Sequence, residues 1–147
     1  MSLENRKTVR ERMATEMIAV YGTNIEAFYP YMATAFEGLS PVVRLYNGGS
    51  MRQRRAGYAP AADSAMRYIV QHFVRFDEAG SAAEQQAAED TLDGLELLLM
   101  TFMSDQDQIP GVWKQIRMVD YSEPVLTKTS AYQYLLEAFI LEAVVDG

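Results

Sequence analysis

Apolar residues recur at three- and four-residue spacing from Val9 through Met13 and Met17 to Val20, which predicts an amphipathic helix over residues 5–21. Two starts are open: Asn5 as a simple cap, or Thr8 with Glu11 at capping-box spacing. Gly22 and Asn24 are the expected stop signals. Strict alternation follows at residues 66–76, the clearest strand in the chain. Met66, Tyr68, Val70, His72, Val74 and Phe76 fall on one face, and Arg67, Ile69, Gln71, Phe73 and Arg75 on the other. A shorter β-rich run, PVVRLY, covers 41–46 with proline at its first position, where a missing N–H is tolerated. Asn47-Gly48-Gly49 reads as a turn and 50–63 as a polar loop.

Ser81 with Glu84 makes a second capping box, and a helix is expected from there to about residue 103 with Leu92, Leu95 and Leu99 on its buried face. Its last stretch, LELLLMTFM, is apolar nearly all round, so it needs cover on more than one side. The sheet supplies one side, and a neighbouring subunit is a candidate for another, which marks Phe102 and Met103 as candidate interface residues. Residues 106–111 read as a loop, 113–121 and 132–144 as strands, and 124–130 as the connection between them. Residues 23–40 carry Phe28, Tyr29, Tyr31 and Phe36 around Pro30, which argues against a continuous helix. Two readings of this segment stay open, a local aromatic cluster and a partner surface. The element order predicts a single α+β domain: a mostly antiparallel sheet of about four strands with two helices packed on one face.

Composition narrows the chemistry. The 147 residues include no cysteine, which removes disulfides, thiolate metal sites and cysteine nucleophiles. No apolar run reaches the roughly 18 residues of a membrane span, and the charged start MSLENRKTVRER lacks a signal-peptide core, so the expected place is the cytoplasm of the producing cell, away from membranes. A formal net charge of −7 disfavours general nucleic-acid binding, yet suits a passage through which DNA slides without sticking.

The candidate sites are weak as chemistry. His72 is the single histidine and sits on an apolar strand face, where a satisfied core or interface histidine is the expectation; a metal site or catalytic triad would need partners the sequence does not supply. Asp105 and Asp107 lack the central glycine and twelfth-position glutamate of an EF-hand loop. Glu89, Asp90, Asp93 and Glu96 flank the buried Leu92 and Leu95 and are expected on the solvated face. Arg52, Arg54 and Arg55, with Tyr58 nearby, stand out in an acidic chain. Three readings remain open for them: a solvated loop, a protein contact with acidic neighbours, or a DNA contact. Neither catalytic residues nor a cofactor site is expected.

Several segments together resemble the tail-terminator proteins of long-tailed phages, the group related to gene product U of phage lambda. The carriers are Arg10-Glu-Arg-Met13, then Ser40-Pro-Val-Val-Arg44 leading into Asn47-Gly-Gly-Ser-Met-Arg52, and the strand Tyr68-Ile-Val-Gln-His-Phe-Val74. The acidic helix Ala88-Glu-Asp-Thr-Leu-Asp-Gly-Leu95, Trp113 followed by Ile116-Arg117, and a closing strand from Tyr132 complete the order, which covers almost the whole chain. The resemblance implies a hexameric ring in the virion at the head-proximal end of the tail tube. Such a ring stops tube polymerisation, offers a surface to the head-completion protein, lets DNA pass through its lumen and performs no catalysis. Competing expectations are another neck component or tube subunit, and a small ligand-binding or enzymatic domain with His72 and Tyr68 inside a pocket.

Overall fold

Asn5, rather than Thr8, starts the first helix: in a computed structural model of the chain, which describes residues 5–52, 64–129 and 131–145, the Asn5 carboxamide oxygen accepts a hydrogen bond from the Thr8 backbone N–H at 2.8 Å. This satisfies one of the orphan donors at the helix start. Helix α1 then runs Arg6–Tyr21 and stops at Gly22, whose φ of 54° is left-handed backbone that glycine adopts without strain. Its buried stripe is Val9, Met13, Ala14, Met17 and Tyr21; Val20, expected in the stripe, is only half-buried at its margin. A 3₁₀ turn, Gly22–Asn24, leads to β1 (Ala27–Tyr29), a three-residue strand that pairs in parallel with β2 (Val42–Arg52). Pro30 ends β1 because it cannot donate to a ladder, and so short a strand leaves no alternation to read in the sequence.

β2 corrects the expected turn at Asn47-Gly48-Gly49. The strand runs straight through these residues and pairs with β3 (Ser64–Arg75) as far as Arg52 opposite Ser64. The register jumps between Asn47 and Gly49, so the glycines form a bulge, and Gly49 takes a φ of 112°. Glycine pairs serve turns and bulges alike, which is why local sequence did not separate them. β2 therefore takes in residues 50–52 of the expected loop, and residues 53–63 lie outside the described ones.

Helix α2 (Ala82–Asp105) is capped by Ser81, whose hydroxyl accepts from the Glu84 N–H at 3.2 Å. It buries Ala88, Leu92, Leu95, Leu99 and Phe102. After it, Ile109 and Trp113 form an isolated bridge, and the Trp113 indole donates to the Gln106 carbonyl at 2.8 Å, tying down the helix end. β4 (Gln115–Tyr121), β5 (Val125–Thr129) and β6 (Tyr132–Val145) complete the sheet, ordered β1-β2-β3-β6-β4 with β5 also on β6. The class is α+β and mostly antiparallel as expected, with six strands rather than about four. Residues 125–129 are a strand, not a plain connection; as an edge strand β5 is largely solvent-facing, so no apolar period marks it. β4 and β5 lie along the same edge of β6 in succession, interrupted at Ser122 to Pro124. Ser122 bridges the gap, its N–H donating to the Ala138 carbonyl at 2.8 Å and its hydroxyl accepting from the Ala138 N–H at 3.1 Å.

Both helices pack on one face of the sheet, against Val43, Leu45, Met66, Tyr68, Val70, Leu135, Phe139 and Leu141. Leu95 sits in the middle of this layer at 2% exposure. Leu95→Ala is expected to lower unfolding free energy by about 2–5 kcal/mol, through lost burial and the cavity left behind. Urea denaturation measures it, and a loss well under 1 kcal/mol would mean that the helix yields at this position.

Candidate functional site

β6 is apolar except for a few residues, and two of the exceptions, Glu137 and Glu142, are buried. Five positions apart on a strand, they point to opposite faces. Each is held by a different device, and together they organise the two faces of the sheet.

On the helix face, Glu137 meets His72 across the β3–β6 ladder, with Oε1 at 2.8 Å from Nδ1, while His72 Nε2 lies 2.6 Å from the Tyr21 hydroxyl at the end of α1. A neutral His72 facing a carboxylate carries its proton on Nδ1, donates it to Glu137 and accepts from the Tyr21 hydroxyl at Nε2. Burial pushes the Tyr21 phenol well above its ordinary pKa, and the nearby Glu137 adds to the shift. Tyr21 and His72 are both 0% exposed, so this chain of polar groups is the satisfied core histidine expected from the sequence. Tyr68, paired with His72 in the enzyme reading, is also fully buried and donates to the Arg6 carbonyl at 2.9 Å. A cleft of about 380 Å³ opens beside Glu137 at the β4–β5 interruption, bordered by Asp93, Glu96, Tyr121 and Glu123. Among the described residues no group of three histidines or acids is arranged to hold a metal ion. Glu89, Asp90 and Asp93 are exposed as expected, whereas Glu96 is half-buried.

The opposite face has two parts. At one end, residues 30–41 lay the Phe36 ring on the sheet: it meets Phe73 with ring centres 4.6 Å apart, meets Tyr134 at 5.5 Å, and stacks on Tyr29. Arg44 reaches over Phe73 and Tyr46 and donates to Gln71 and to the Ala33 carbonyl. Phe28, Tyr29 and Phe36 thus belong to the subunit's own packing, while Tyr31 and Met32 remain exposed. The rest of this face carries no covering element among the described residues. Ile69, Leu136, Ala138, Ile140 and Val144 lie there half-buried, and Val125 is exposed. In their midst Glu142 is clasped from both neighbouring strands: Arg67 Nε donates to Oε2 at 3.1 Å and Arg117 Nε to Oε1 at 2.9 Å. Burial alone would raise the Glu142 carboxyl, but the hydrogen bonds from Arg117 and Arg67 outweigh it and hold the carboxyl below its usual range.

The residues singled out for an interface fare unequally. Phe102 is fully buried, edge-on to Trp113 at 6.4 Å, because the chain after α2 folds back and sets Trp113 against the last turns of the helix; it is corrected from interface to core. Met103 is half-buried against the same core. The apolar surface expected at this helix end is real but sits elsewhere, at Leu97 (69% exposed) and Met100. Arg52 closes β2, its side chain outside the described residues, as are Arg54, Arg55 and Tyr58 entirely. Arg67, Arg117 and Glu142 were not singled out; the signal available was a charged residue recurring inside apolar strand patterns.

Two outcomes follow. Tyr21→Phe leaves His72 Nε2 buried without its partner and is expected to cost about 1–3 kcal/mol in denaturant unfolding, with the fold retained; an unchanged midpoint would show that the hydroxyl contributes nothing. Because the Glu142 carboxyl is held below the ordinary glutamate value of about 4.3, its contribution is complete above that pH and is lost as pH falls through the folded carboxyl's lower value. Glu142→Gln should therefore be destabilised relative to native protein at pH 7, with the gap narrowing below about pH 4; parallel stability curves would refute the clasp as a source of stability.

No protein-family model matches this chain, and no curated protein matches it.

Proposed function

We propose that this chain is a structural virion subunit that forms a ring at the head-proximal end of a phage tail tube, ends tube growth and presents a surface to the head-completion protein. The observation that carries the assembly part of this reading is the sheet face opposite the helices: among the described residues no element covers half of it, which leaves Ile69, Leu136 and Ile140 half-buried and Val125 exposed. Apolar residues on such a face support a protein contact there. The phage assignment, the ring of six and the absence of catalysis come from the resemblance in segment order. The buried, mutually satisfied Tyr21, His72 and Glu137 favour a structural over a catalytic role for the single histidine. A chain at −7 also suits a ring whose lumen passes DNA without holding it.

Light scattering at micromolar concentration, alone and after mixing with tail tubes, tests the ring, with negative-stain images alongside. Closed rings of six, or tubes capped at one end, are expected. A strict monomer in both conditions overturns the reading, and long open polymers would replace it with a tube subunit. The arginines at the β2 end are assigned to contact with carboxylates of the neighbouring subunit or tube, for which the guanidinium fork is suited. Arg52→Glu/Arg55→Glu should fold normally and fail to cap; normal capping would leave those arginines merely solvated.

A further inference from the structure

The cleft at the β4–β5 interruption collects carboxylates from three parts of the chain: Asp93 and Glu96 of α2, Glu123 of the interruption itself, and Glu137 of β6. Tyr121 and Phe139 place aromatic rings beside them. No lysine or arginine borders the cleft, and none occurs on α2 or from Met118 to Pro124. Among the described residues no ion pair reaches Asp93, Glu96 or Glu123. Acids on a surface are ordinarily solvated, but Glu137 differs from the other three. It is 6% exposed, His72 takes its Oε1 at 2.8 Å, and its other oxygen receives no hydrogen bond among the described residues. A carboxylate oxygen that deep is costly without a donor. The arrangement calls for a cation with several donors and a flat shape that lies against aromatic rings, and a guanidinium meets both demands.

We propose that this cleft receives an arginine of segment 52–55 from a second copy of the chain. Residues 52–62 hold three arginines and no acid, so the charge of the segment is as unbalanced within itself as that of the cleft. A copy cannot fill its own cleft in this way. Glu137 lies opposite His72, eight positions along β3 from Ser64, which is about 26 Å at the rise of a strand. Arg52 stands opposite Ser64, and Arg55 is three positions further along the chain, at most about 11 Å away. The shortfall of about 15 Å is more than one side chain spans. Segment and cleft therefore meet different neighbours, and such a contact runs head to tail and propagates until it closes. The choice of a second copy rests on the assembly reading above, and the inference names the carboxylates that reading leaves open.

A peptide of residues 51–59, MRQRRAGYA, carries the test. It is titrated by calorimetry into the full chain bearing Arg52→Gln/Arg54→Gln/Arg55→Gln, whose own segment no longer competes. The peptide should bind 1:1, and its counterpart with glutamine at the three arginines at least tenfold more weakly. Adding Glu96→Gln/Glu123→Gln to the protein should weaken the native peptide at least tenfold with unchanged circular dichroism. Glu123→Lys alone, at an exposed position, should do the same and guards against misfolding of the double variant. No binding, equal binding of the glutamine peptide, or an affinity indifferent to the cleft substitutions would each overturn the proposal. Arginine amide binding as tightly as the peptide would also overturn it, by making the cleft a site for small free cations. Tube capping separates the two ideas: a native chain that caps tubes while the peptide fails to bind keeps the functional reading and loses this one, and peptide binding without capping does the reverse.

Discussion

β6 runs through the middle of the sheet, and its 14 residues must be satisfied on both faces and along both edges. One edge is taken by β3, whose every residue from Ser64 to Arg75 has a partner, and the other by β4 and β5 in succession. Burying such a strand is straightforward for Leu135, Phe139 and Leu141, each of which contributes about 1.5–3 kcal/mol when removed from water. The constraint comes from Glu137 and Glu142, because a buried carboxylate without partners costs far more than one residue's packing returns. The fold answers with His72 and Tyr21 on the helix face and with Arg67 and Arg117 on the other. These partners sit on α1, β3 and β4, so satisfying two glutamates helps lock the register of most of the domain.

The two solutions differ in what they leave behind. The histidine device is buried: the α1 end closes over His72, and only Glu137 borders the cleft at the β4–β5 interruption. The arginine device is open, with Arg67 and Arg117 half in solvent and half-buried aliphatic residues around them. A surface of that kind has cation, aliphatic area and rigid backing together, which are the ingredients of a protein contact. Inside and outside are thus linked through one strand: the residue that β6 must neutralise is also the one that gathers positive charge on its outer face.

Periodicity alone determined both helices, the β3 alternation and the closing strand, because in each of these one face is buried over three or more turns or repeats and the pattern is long enough to read. It also determined that Leu92, Leu95 and Leu99 face inward and that His72 is a core group. The short strands β1 and β5 were decided by tertiary structure, since edge pairing supplies their hydrogen bonds while their side chains stay largely outside. The same holds for Asn47-Gly48-Gly49, whose backbone freedom allows a turn or a bulge; the long partner β3 selects the bulge. Phe102 and Leu97 lie within one apolar run, and only the tertiary packing of α2, with Trp113 against its last turns, sends the first inward and leaves the second at the surface. The partners of Glu137 and Glu142 were beyond reach of the sequence for the plainest reason: the pairs are 65 and 25 to 75 positions apart in the chain, and only strand register brings them within hydrogen-bonding distance.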